Sequence, residues 1–170
     1  EICGIPLTAP FVIWSASIPV AYISLLLLFR ALNWWEKPTR RGSRGSDIMA
    51  FEIVAGLCIL YLAIVGVIMV FRLNPAWDEE LDAVEADKLY AYSEVVTTHL
   101  LAPMLFYQGW NAVLCLLNDD LRDPFMIGHH LVAAGISYCC LRPYLHGYGP
   151  FFFGFVELTN IPLTLVDAFK

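Results

Sequence analysis

Five long runs of mainly apolar residues dominate the sequence and restrict the folds open to it. They cover residues 11–35, 50–73, 89–117, 125–141 and 151–169. A helix needs about 20 mostly apolar residues to cross the hydrocarbon core of a bilayer, and helices satisfy their own backbone hydrogen bonds there. The runs therefore predict an all-α, polytopic transmembrane helix bundle of about five spans, forming a single domain over residues 1–170.

The composition agrees with a chain embedded in a membrane. Hydrophobic residues make up 59% of the sequence and charged residues 15%, and the mean hydropathy is +0.65. Soluble domains are about 45–50% apolar and about 25% charged. The net charge of −6 is local, because many of the 16 acidic residues fall between Asp78 and Asp87. No basic patch indicates nucleic acid as a partner.

The basic residues predict the orientation of the bundle. The loop over residues 36–49 carries Lys37, Arg40, Arg41 and Arg44, whereas the acidic loop after the second run has no basic residue before Lys88. Lysine and arginine are enriched in cytoplasmic loops. Loop 36–49 is therefore expected on the cytoplasmic side, or on the stromal or matrix side in an organelle, with the acidic loop opposite.

No motif in the sequence indicates a cofactor. The five cysteines are scattered and have no metal-ligand spacing. Adjacent histidines on one helix point about 100° apart and do not both face one ion without distortion. No glycine-rich phosphate loop or serine nucleophile elbow is present. We expect no metal and no resident cofactor.

Polar residues inside the apolar runs are the candidate functional groups, because ionisable groups are costly in hydrocarbon and are retained there for a reason. The fourth run carries His129 and His130 near its start. The third and fifth runs carry the other candidates, which are Gln108, Asn111, Glu157, Asn160 and Thr164. Glu157, Asn160 and Thr164 share one face of a regular α-helix.

Depth predicts which of these side chains meet. At a rise of about 1.5 Å per residue, His130 lies roughly 7 Å from the cytoplasmic edge, close to Asn111, Asn160 and Thr164. The same count places Gln108 and Glu157 deeper, near the midplane of the membrane. A histidine beside a carboxylate is suited to general base catalysis, and the same groups suit a polar lipid headgroup. They could equally be satisfied hydrogen bonds between helices.

Two segments resemble the TLC domain, the membrane domain of ceramide synthases and of a set of lipid-homeostasis proteins. They are "RDPFMIGHHLVAAG" and "FFFGFVELTNIPLTLVDAFK". The resemblance implies that His129 and His130 match the histidine pair of ceramide synthases. Glu157 and Asn160 stand where those enzymes have an aspartate pair, and Asn160 does not ionise. The sequence is therefore more similar to the non-synthase branch.

The resemblance also carries expectations about location and extent. It favours the endoplasmic reticulum, while the composition is equally compatible with a plastid or mitochondrial membrane. TLC domains generally have six or more spans, so we expect the chain to be a partial TLC domain that is incomplete at its C-terminus.

Three functions remain open at this point. The first is lipid binding or handling that affects membrane composition, which predicts a cavity beside His130. The second is acyl transfer, with His129 or His130 as the base, Glu157 as its partner and acyl-CoA as co-substrate. The third is a non-catalytic subunit that binds other membrane-protein subunits, which predicts that His129 and Glu157 are satisfied internally and that no cavity remains.

Overall fold

The computed structural model describes residues 9–35, 37, 44–72, 93–142 and 146–162, and every regular element among them is helical. The four main helices are α1 (Ala9–Ala31), α2 (Gly45–Arg72), α3 (Glu94–Leu117) and α4 (Pro124–Cys139). A terminal segment, residues 146–162, follows α4 and consists of short helical pieces. The predicted all-α class is confirmed for the part of the chain described.

Three helices are long and apolar enough to cross a membrane: Phe11–Ala31, Gly45–Phe71 and Glu94–Leu117. The first ends four residues before the predicted limit at Trp35, because Asn33 and Trp35 adopt left-handed backbone angles with φ of 53° and 54°. The third begins at Glu94 within the described residues, and the predicted start over residues 89–92 lies outside them. Of the five predicted spans, three are thus present among the described residues as helices of membrane-spanning length and composition.

α3 contains one widened turn. Residues Thr97–Leu101 form a π-turn, in which the Ala102 N–H donates to the Thr97 carbonyl five residues earlier. Pro103 follows directly, and a proline inside a helix lacks a donor and crowds the carbonyl four residues before it. The widened turn accommodates that ring, so the predicted bend near Pro103 takes the form of a local change in helix winding.

α4 buries polar residues and exposes apolar ones, which is the reverse of the pattern in a helix of a soluble protein. His130 and Ser137 are its buried residues, while Phe125, Leu131 and Val132 are 89%, 56% and 61% exposed. The helix packs mainly against α3. We predicted that it packs among several helices; instead, one polar face meets α3 and the apolar faces are exposed. This pattern agrees with a membrane environment.

The terminal segment replaces the single helix predicted over residues 151–169. A short helix, Gly149–Phe152, is followed by a 3-10 turn, Phe155–Thr159, and the chain beyond residue 162 lies outside the described residues. The break at Gly154 lets its backbone touch Gly66 on α2, where a Cβ atom on Gly66 would lie 2.3 Å from the Gly154 Cα atom. Such close contact requires glycine in both segments, at Gly66 and at Gly154.

We expect Gly66→Ala to lower stability by about 1–3 kcal/mol, because the added methyl group forces the terminal segment away from α2. The matched control is Gly135→Ala on α4, where an added Cβ meets nothing within 4 Å. Thermal unfolding of both variants in detergent would measure the difference. Equal melting temperatures for the two variants would contradict the close packing of α2 on the terminal segment.

Candidate functional site

His130 and Gln108 join α4 to α3 in the bundle interior. Their relative exposures are 5% and 4%, and the His130 Nδ1 atom lies 2.5 Å from the Gln108 Oε1 atom. The Gln108 Nε2 group donates to the Met104 sulfur at 3.5 Å, which leaves the amide oxygen facing His130. An amide oxygen only accepts. His130 therefore donates from Nδ1, and the neutral ring has its acceptor at Nε2.

Glu157 and Asn160 form a second polar pair on the terminal segment. The Asn160 Nδ2 group donates to the Glu157 Oε2 atom at 2.9 Å. Glu157 is 7% exposed and lies in the 3-10 turn Phe155–Thr159. A 3-10 turn has three residues per turn, so residues three apart still stand on one side. Glu157 and Asn160 therefore stand on one side, as predicted, although the regular helix expected there is absent.

A cavity of about 260 Å³, which we call the polar cavity, lies where four elements converge. Its walls are α2, α3, α4 and the terminal segment. The polar residues that line it are Glu52, Tyr107, Gln108, Asn111, His129, His130, Glu157 and Asn160. Such a concentration of polar groups within a mainly apolar bundle marks this cavity as the candidate site.

A second space, the apolar cavity, has a volume of about 520 Å³ and lies between α3, α4 and the terminal segment. Most of its lining is apolar, including Met104, Ala133, Ile136, Phe153 and Val156. Four residues line both spaces, namely Gln108, His129, Glu157 and Asn160. The two cavities therefore adjoin at a shared polar border.

The structure brings together six of the seven residues that the sequence singled out. His129, His130, Glu157, Gln108, Asn111 and Asn160 line the polar cavity, and Thr164 lies outside the described residues. The predicted neighbours of His130 were Asn111, Asn160 and Thr164, whereas its hydrogen-bond partner is Gln108. The depths were predicted from the rise per residue along each helix. That count does not include the tilt of a helix or the offset between the ends of neighbouring helices, so it did not identify Gln108 as the partner of His130.

Sequence reasoning missed Glu52 and Tyr107. Glu52 lies two residues after the predicted start of the second span and lines the polar cavity from α2. The available signal was a carboxylate inside an apolar run. Glu52 was overlooked because it lies close to the predicted start of the span, where a charged residue is ordinary. Tyr107 is buried beside Gln108, and an aromatic residue in an apolar run carries no distinguishing pattern.

The hydrogen bonds limit the chemistry that the site performs as it stands. Across the residues described, Glu157 accepts from Asn160 and His130 pairs with Gln108, so no hydrogen bond joins a histidine to a carboxylate. A base and its orienting partner normally lie within hydrogen-bond reach. The arrangement suits recognition of a polar group at the end of an apolar chain. The described residues hold no cluster of three or more side chains suited to a metal.

Comparison with known proteins gives no match: no family model, curated protein or solved structure is significantly similar to this chain.

A double-mutant cycle would measure the bond between α3 and α4. We expect Gln108→Leu and His130→Phe to be coupled by about 0.6 kcal/mol, and by no more than about 1.7, as for hydrogen bonds between membrane helices. The control cycle replaces His130→Phe with His129→Phe, since His129 is exposed and should show no coupling to Gln108. Reversible unfolding in bicelles supplies the free energies. Equal coupling in the two cycles would contradict the assigned bond.

Proposed function

We propose that this chain is a membrane protein of the TLC type that binds lipid inside its helix bundle and thereby affects membrane lipid composition. The observation that carries the proposal is the pair of adjoining cavities, one polar and one apolar, with a shared border of Gln108, His129, Glu157 and Asn160. A lipid has the same two parts, a polar headgroup and an apolar chain.

The length of the apolar cavity supports a lipid chain as its occupant. Along α4 it extends from His129 to Cys140, which corresponds to about 16 Å at the rise of an α-helix. The hydrocarbon core of a bilayer is about 30 Å thick, so one leaflet is about half of that. The apolar cavity thus matches one lipid chain of ordinary length, with the headgroup in the polar cavity.

The surroundings of the apolar cavity support entry of lipid from the bilayer. Ile136 on α4 and Phe152 on the terminal segment line it and are 50% and 59% exposed. α4 packs mainly against α3 and has little contact with the terminal segment. A lateral gap therefore runs between α4 and the terminal segment among the residues described, and a chain can pass through it without crossing water.

The proposal includes an orientation and a location. We infer that loop 36–49 faces the cytoplasm and that the polar cavity lies toward that side, since α2 starts and α3 ends there. The resemblance to TLC proteins favours the endoplasmic reticulum membrane.

Two further functions are less well supported. Acyl transfer from acyl-CoA was predicted with Glu157 as the partner of a histidine base, and the described bonds of His130 and Glu157 lead to Gln108 and Asn160 instead. A purely structural subunit predicts a filled interior, whereas two cavities meet at the predicted residues. Lipid binding uses both the cavities and the polar groups.

Filling the apolar cavity should reduce lipid binding. We expect Ala133→Phe to weaken retention of lipid by about 1–3 kcal/mol, as when extra methylene groups are forced into occupied space, which is roughly 5- to 150-fold in affinity. Native mass spectrometry of the full-length protein, extracted from membranes in mild detergent, would measure the fraction with bound lipid.

The matched control is Val132→Phe, one residue away on the exposed face of α4. It adds an aromatic ring outside the cavity and should retain lipid as the wild type does. Equal loss in the two variants, or bound lipid in neither the wild type nor the control, would overturn the proposed function.

A further inference from the structure

The Nε2 atom of His130 is a hydrogen-bond acceptor that faces the polar cavity. His130 is 5% exposed, and its Nδ1 atom donates to the Gln108 Oε1 atom, which leaves the lone pair of the neutral ring at Nε2. Among the described residues, no hydrogen bond reaches Nε2. The side-chain atom of the described residues that is both sealed and without a partner is the Trp110 Nε1 atom. The His130 Nε2 atom therefore borders open space, and His130 lines the polar cavity.

Gln108 determines which ring nitrogen of His130 carries the proton. The Gln108 Nε2 group donates to the Met104 sulfur, which only accepts, so the amide oxygen is turned toward His130. A reversed amide would place its oxygen against the sulfur, and two acceptors form no hydrogen bond. All three side chains are buried. The contact with Met104 thus fixes the amide of Gln108, and the amide fixes the tautomer of His130.

An acceptor at this position selects a ligand that donates. A buried acceptor that is cut off from water and gains no partner carries the cost of its desolvation. A charged donor, such as an ammonium group, would itself have to lose water in the membrane interior, which is costly. An uncharged donor avoids that second cost, and a hydroxyl is the simplest such group in a lipid headgroup.

We propose that the headgroup bound in the polar cavity carries a hydroxyl that donates to the His130 Nε2 atom, and that Gln108 is the positioning residue that keeps this atom an acceptor. The inference rests on the proposed lipid-binding function and names the class of headgroup. Lipids whose headgroup only accepts hydrogen bonds, such as ethers and esters, then bind more weakly, because they leave Nε2 unpaired.

The tautomer of His130 can be measured directly. Nitrogen NMR of the full-length protein with isotope-labelled histidine distinguishes a protonated ring nitrogen from a bare one, and His130→Phe identifies the signals of His130 by their loss. We expect Nδ1 to be protonated and Nε2 to be bare in the wild type. Gln108→Leu removes the amide oxygen, so the proton should be distributed over both nitrogens. A wild-type ring protonated mainly at Nε2 would overturn the proposal.

Two probes that differ by one methyl group test the headgroup: octadecanol and octadecyl methyl ether. The methyl group replaces the hydroxyl hydrogen, so the ether only accepts. Each probe is added to the full-length, delipidated protein, and native mass spectrometry gives the bound fraction. We expect the ratio of alcohol affinity to ether affinity to fall by about fivefold or more in His130→Phe, since no acceptor remains to be paired. The ratio should move in the same direction in Gln108→Leu.

The matched control is His99→Phe, which makes the same substitution at an exposed histidine of α3 that lines neither cavity. The ratio in this control should equal that of the wild type. Both affinities are measured within one variant, so a general loss of stability does not imitate the effect.

The outcomes separate this inference from the proposed function. If the ratio in His130→Phe equals that in His99→Phe while Ala133→Phe still weakens binding, lipid binding stands and recognition of a hydroxyl is overturned. An unchanged His130 tautomer in Gln108→Leu overturns the role of Gln108. If neither probe binds to the wild type, both proposals fail.

Discussion

The hydrogen bond between His130 and Gln108 links α4 to α3, and both cavities are lined by these two helices. α4 has few buried residues, and His130 is the one whose side chain reaches another helix; the Ser137 hydroxyl donates to the Ala133 carbonyl of its own helix. In a bilayer, apolar residues gain little by moving from lipid to protein, so polar contacts and close packing hold helices together. α4 is held to α3 in this way, with its apolar faces outward.

A close backbone contact positions the opposite wall. Gly66 on α2 and Gly154 touch without side chains between them, which fixes the terminal segment at a point three residues before Glu157. Small residues at helix contacts in membranes allow backbones to approach in this manner. The polar and apolar cavities lie between these two contacts, the hydrogen bond from His130 to Gln108 and the backbone contact of Gly66 with Gly154. The site is thus a consequence of how α4 and the terminal segment are attached to different helices.

Much of this arrangement could be predicted from hydropathy and spacing. The cores of α1, α2 and α3 follow from apolar runs of membrane-spanning length, and the histidine pair and Glu157 stand out because polar groups are costly in such runs. The pairing of Glu157 with Asn160 was predictable from its spacing. The break at Gly154 was not, because a glycine in an apolar run does not reveal the backbone that packs on it.

The remaining differences between the predicted and the observed site also arise from tertiary packing. Gln108 meets His130 because of the relative offset of α3 and α4, which no count along a single helix determines. Glu52 belongs to the site because α2 forms its wall, and this depends on tertiary packing. The hydrogen-bond partner of each polar residue depends on its neighbours in space, whereas the sequence specified only its residue type and its approximate depth.

The most direct test is a cryo-EM map of the full-length protein in lipid nanodiscs, with the cavities resolved. Binding of lipid within the bundle predicts elongated non-protein density that begins beside His130 in the polar cavity and follows Ala133 and Ile136 toward Cys140. Cavities filled by protein side chains, or ordered lipid found only on the outer surface of the bundle, would contradict it.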